Sequence, residues 1–134
     1  MLHSKKNGDG FKIIVSSYQD EQRKRFAIAQ ELGHLFLHMG YKTNAEIWEK
    51  QADKVPFQEK DPEKVRQANE FAAALLMPRY IFFLTLEAAS DIAESGKRTI
   101  HMQAVADFFN VSLSAAYTRA KILGLSERAY YEMS

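Results

Sequence analysis

Gln30, Glu31, His34 and His38 are the only polar residues in the stretch from Phe26 to Met39, and their types and spacing could carry hydrolytic metal chemistry. Positions 30, 34 and 38 recur every fourth residue, so they stack on one helical face with Glu31 beside them. The rest of the stretch is apolar on nearly every side, the pattern of a helix buried at the centre of its domain. Polar groups on such a helix need partners, because unpaired ones are costly to bury. In the pattern H-E-x-x-H, two histidines four residues apart hold zinc from one face and the intervening glutamate polarises a water as general base. Here the order is Gln30-Glu31-Leu32-Gly33-His34. The base position and the second histidine are present, and glutamine stands at the first ligand position.

Several elements must position this face. A helix from about residue 20 to 39 carries it, capped by Ser17 or Asp20 and ended by Gly40. Before it, Met1 to Gly10 reads as a flexible lead with turn residues at Asn7-Gly8-Asp9-Gly10, and Phe11 to Val15 as a short strand. Residues 41 to 60 show no clear period; a short strand is expected near Ala45 to Glu49, with Ile47, Trp48, Val55 and Phe57 packing on the core. A second helix opens at Asp61-Pro62-Glu63, which supply an N-cap, an N1 proline and a charge favourable to the helix dipole. It runs to Met77, with Pro78 closing it. Arg79 to Ile92 reads as a further helix, followed by a break at Ser95-Gly96. Helices over Thr99–Phe109 and Leu113–Leu123 are joined by Asn110-Val111-Ser112, and a short turn is expected within Ser126 to Met133. Tyr80, Phe82, Phe83, Phe108 and Phe109 are expected in the core.

Two blocks resemble the ImmA/IrrE family of zinc peptidases: Arg25-Phe26-Ala27-Ile28-Ala29-Gln30-Glu31-Leu32-Gly33-His34-Leu35-Phe36-Leu37-His38, and Gln67-Ala68-Asn69-Glu70-Phe71-Ala72-Ala73-Ala74-Leu75-Leu76-Met77-Pro78. The tail from Val105 to Leu125 is similar to the family's C-terminal helices, so the resemblance spans roughly residues 11 to 125. It implies a mostly helical, zincin-like α+β domain with a small N-terminal β-sheet. It also implies a third metal ligand, a glutamate directly before the Ala-Asn pair, and that position is Gln67 here. Ligand positions 30 and 67 are therefore both glutamine, and only His34 is kept. A neutral amide oxygen is a poor zinc ligand beside imidazole or carboxylate, and without zinc Glu31 has no activated water to work on. Gln30, His34 and Gln67 are expected to cluster across two adjacent helices, amide to amide or amide to imidazole. A metal site displaced by one turn, using His34, His38 and Glu70, requires parallel helices. In the antiparallel arrangement that the resemblance implies, the two shifts diverge by about 10 Å.

Composition limits the remaining classes. The chain has 134 residues, 46% of them hydrophobic, enough for the core of one domain over 1–134. Charge is balanced, 18 basic against 17 acidic residues, so no overall attraction to nucleic acid or membrane follows. There is no cysteine, hence no disulfide, thiolate metal site or cysteine nucleophile. No apolar run approaches the roughly 18 residues of a membrane span, and residues 1–10 lack an apolar signal core; a cytoplasmic domain is expected. Residues 99–125 resemble a helix-turn-helix. From Lys97 onward, however, five basic residues face three acidic ones, which is no basic stripe, and direct nucleic-acid binding is not expected.

These readings converge on a catalytically inactive or impaired zinc-peptidase-like domain with no cofactor expected, Glu31 being a vestigial base and Gln30, His34 and Gln67 metal-free. The resemblance implies a protein partner of repressor type, from a phage or mobile element, bound in antirepressor fashion. One alternative is an active zinc metallo-endopeptidase that cleaves such a repressor; the second is a DNA-binding helix-turn-helix protein.

Overall fold

The structure, a computed structural model, describes residues 3–7, 10–14, 18, 20–51, 60–125 and 131–133, with residues 3–7 and 131–133 described by backbone alone. The chain expected to form one domain divides into two compact units, residues 1–75 and 76–134.

The first unit begins with a hairpin of β1 (His3–Asn7) and β2 (Gly10–Ile14), antiparallel with Asn7 opposite Gly10. The expected flexible lead is thus corrected to a strand. The β-branched run of β2 needs a partner for its backbone, and the turn residues between two runs serve a hairpin. Gly8, Asp9, Val15 and Ser17 lie outside the described residues. The backbone of β1 runs beside α1 (Glu21–Leu37). Asp20 caps α1 by accepting the Arg23 N–H at 2.8 Å. At the other end Gly40 adopts φ +80°, and Tyr41 N–H reaches back to the Leu35 carbonyl. Helix α1 is less deeply set than its apolar composition implies. Ala29, Gly33, His34 and Leu35 are buried, whereas Leu37 is 52% exposed.

Residues 45–49 form a helix, α2 (Ala45–Glu49), and not the expected strand. Asn44 explains the difference, because its side chain accepts the Ile47 N–H at 3.1 Å and so starts a turn locally. Trp48, Leu35 and Met39 form the core, against which Phe11, Ile13, Leu32 and Tyr41 pack. Tyr41 meets both Phe11 and Trp48 edge-on at 5.0 Å between ring centroids. Val55 and Phe57 lie outside the described residues. Helix α3 (Pro62–Leu76) starts where Asp61 accepts the Glu63 N–H at 3.0 Å.

Gly33 is where α1 touches α3. A Cβ there would stand 3.2 Å from Ala68 Cα and 3.1 Å from Phe71 Cδ1. Backbone at Ala68 cannot rotate away, so the approach depends on glycine. We expect Gly33→Ala to lower stability, measured by urea unfolding. The gain in helix propensity is about 1 kcal/mol, and overpacking costs about 1–3 kcal/mol. A stabilised variant would show that the helices separate freely.

The second unit holds α4 (Arg79–Ala88), the hairpin β3 (Ser90–Ile92) and β4 (Arg98–Ile100), then α5 (Met102–Phe109), α6 (Leu113–Ile122) and β5 (Tyr131–Met133). Its sheet has the order β3-β4-β5, with β4–β5 parallel. This sheet corrects three expectations. The helix from Arg79 stops at Ala88, residues 90–92 are strand, and Thr99 and Ile100 belong to β4 instead of the following helix. Gly96 at φ +84° turns the hairpin, and β-branched Thr99 and Ile100 suit a pleated strand. Residues 131–133, expected as a helical turn, are strand β5, while 126–130 lie outside the described residues. Ser112 caps α6 through the Ala115 N–H, and Asn110 at φ +53° turns the chain between α5 and α6. The core contains Met77, Phe82, Leu86, Ile100, Met102 and Val105, with Phe82 stacked on Phe109 at 5.7 Å. Phe83 is half-buried, but Tyr80 is 74% and Phe108 65% exposed, so these two do not belong to the core.

Candidate functional site

The polar stripe of α1 turns towards α3. His34 is 7% exposed, and its Nδ1 lies 2.9 Å from Nδ1 of His38, one turn on. Nε2 of His38 lies 2.8 Å from Oε1 of Gln67 on α3. Gln30 Nε2 donates to Oδ1 of Asn69, also on α3. An amide oxygen only accepts, so His38 Nε2–H donates to Gln67. The contact between Nδ1 of His38 and Nδ1 of His34 has one ring donating and the other accepting, according to the tautomers. The three side chains form one hydrogen-bonded chain, His34, His38 and Gln67.

Gln30, His34 and Gln67 all face the α1–α3 contact, but the bonds run through two residues that sequence reasoning did not place in the site. Gln67 reaches His38, and Gln30 reaches Asn69. The stripe of spacing four already contained His38, so its place was readable; Asn69 gave no signal of its own. On α1 the residues that meet α3 include Gln30, Gly33 and His38, and on α3 they include Gln67, Ala68, Asn69 and Phe71, with the close backbone approach at Gly33.

Glu31 sits half-buried on α1 beside Gln30. Glu70, the acid required by a site displaced by one turn, faces outward, 47% exposed, and bonds Arg66, which also holds Glu63. Hydrogen bonding to Arg66 draws Glu63 below the usual carboxylate range. Among the described residues no three His, Asp, Glu or Cys side chains converge as a metal-holding group. A zinc ion held by positions 30, 34 and 67 does not fit this arrangement. Two of the three positions offer neutral amides already bonded to Asn69 and His38, and Nδ1 of His34 is bonded to His38.

In the second unit, α5 and α6 follow one another across Asn110, and they carry two cations, Arg119 and Lys121. Arg119 is buried, and Arg98 is paired with Glu87 at 2.6 Å. Arg128 lies outside the described residues. Among the described residues no single helix is long and apolar enough to cross a membrane.

Comparison with known families finds that the model of the IrrE N-terminal-like domain of M78 peptidases covers residues 3–121. No curated protein and no solved structure matches the chain.

Proposed function

The chain belongs to the IrrE N-terminal-like family of M78 peptidases, and we propose that within it this protein binds a protein partner without cleaving it. The supporting observation is the use made of the ligand positions. Gln30 and Gln67, where the family resemblance calls for histidine and glutamate, satisfy Asn69 and His38 with side-chain hydrogen bonds. A glutamine keeps the shape of glutamate without its charge. In a site without a cation, a carboxylate at position 67 would bring an extra negative charge into the half-buried α1–α3 contact, at a cost that the neutral amide avoids. The partner class is a transcriptional repressor of a phage or mobile element, held in the manner of an antirepressor.

Active zinc metallo-endopeptidase chemistry is the second reading, and the presence of Glu31 and His34 three residues apart on α1 supports it. Glu31→Ala separates the two. In a non-cleaving protein, partner affinity in a pull-down titration stays within about twofold, since Glu31 then has no chemistry to lose. Loss of function in a folded Glu31→Ala variant, together with one zinc per chain by elemental analysis, would establish the peptidase instead.

A further inference from the structure

Arg119 is the buried ionisable side chain of the second unit, 7% exposed among the described residues. Its Nε donates to the Met77 carbonyl at 3.0 Å. The two terminal nitrogens carry four further N–H donors. Among the described residues no carboxylate, carbonyl or hydroxyl accepts from them. A guanidinium does not shed its proton to escape this, so a buried one calls for a counter-charge.

What surrounds it is more positive charge. Met77 lies two residues before α4, a helix of ten residues. Pro78 stands at the N-cap and provides no side-chain hydrogen bond, and the first turn contains no acid. The leading N–H groups of α4 thus have neither a cap nor a compensating charge from their own helix. Arg79 opens α4 with its guanidinium 5.7 Å from the Phe83 ring centroid. Burial, and then the charge of Arg79, draw Arg119 below the usual arginine range. Three acids of the same unit are committed elsewhere: Glu87 to Arg98, Asp91 to His101, and Asp107 to Gln103.

We propose that Arg119, Arg79 and the first turn of α4 form a binding site for a phosphate group, as inorganic phosphate or a small phosphate ester. A phosphate offers three free oxygens and roughly −1.5 to −2 charges. Two oxygens suit the guanidinium fork, and the third suits the N–H groups of a helix start. A carboxylate has two oxygens and one charge, which leaves donors unmet. The site shares no residue with the α1–α3 contact, so it stands apart from the reading of that contact.

The test is thermal melting and 31P NMR of the full chain in inorganic phosphate or glycerol phosphate, with chloride and acetate at equal ionic strength as comparison ions. Phosphate is expected to raise the melting temperature and broaden the 31P line, and chloride and acetate are not. Tighter binding of glycerol phosphate would identify an ester as the ligand, and tighter inorganic phosphate the free ion; either supports the site. Arg79→Met should weaken phosphate binding about tenfold or more in a chain that still melts cooperatively. Arg119→Met risks the fold through the lost Met77 bond. Arg119→Lys, which keeps a donor for that carbonyl, is therefore the second variant and should also weaken binding. An equal response to all four anions, or full binding by Arg79→Met, would overturn the proposal. So would duplex DNA binding that depends on Arg79 in a chain that ignores free phosphate.

Discussion

Gln30→His combined with Gln67→Glu is expected to give a chain that binds one zinc ion, with affinity raised by about a thousandfold or more over the parent. The parent offers one imidazole and two neutral amides, both amides already bonded within the protein. The double variant offers two imidazoles and a carboxylate on the same two helices, a set that zinc holds at about 2.0–2.2 Å. The existing neighbours would assist it. Asn69 Oδ1 can accept the second ring N–H of the new imidazole, and His38 can donate to one oxygen of the new carboxylate while the other faces the ion. Such outer partners typically contribute about 10–100-fold in metal affinity. Each single variant should gain far less, because three ligands act together. Competition against a chromogenic chelator measures the affinity, and adding His34→Ala should abolish the gain. A double variant that remains zinc-free would mean that the packing of α1 on α3 keeps positions 30 and 67 from reaching one ion.

The largest loss of stability is expected from Gly40→Val. At φ +80° a β-branched residue is strained by about 1–2 kcal/mol. Its Cβ would also stand 2.6 Å from the Asn44 carbonyl oxygen and 2.9 Å from Ile47 Cβ. These atoms belong to the turn that starts α2 and sets Trp48 into the core, so relief of the clash disturbs the core; overpacking of this kind costs a further 1–3 kcal/mol or so. A total of about 3 kcal/mol should lower the melting temperature by roughly 10 °C. Gly96→Val is the matching control. Gly96 has φ +84° with nothing within 4 Å, so it pays the backbone strain alone. If the two variants melt together, the close approach at Gly40 carries no weight.

What could be read in the sequence was set by local chemistry. Asp61-Pro62-Glu63 fixed the start of α3, Asp20 and Ser112 capped α1 and α6, and Gly40 and Gly124 ended them, because a cap acts within one turn. Strands β3 and β4 escaped notice because each has three residues and is defined by its pairing partner. Ser90–Ile92 follows α4 with no glycine or proline between them, and Thr99-Ile100 leads into α5. The same limit governed the site. Spacing placed Gln30, His34 and His38 on one face, and the paired blocks brought Gln67 opposite. Which amide would meet which imidazole depends on a crossing angle, which no spacing within one helix encodes. Tyr80 and Phe108 were assigned to the core by their composition alone, and both stand on the outward sides of α4 and α5.

Strand β4 is completed late. Its pairing with β3 closes across a short turn and can form within microseconds. Its pairing with β5 spans from Arg98 to Tyr131, so it waits until α5 and α6 have folded back. Until then one side of β4 presents open backbone donors and acceptors, a template for the same strand of another molecule. Residues 131–133 therefore do more than extend a sheet. They act as a built-in blocker, and a chain that lacks them would be prone to exchange strands with its neighbours and to aggregate.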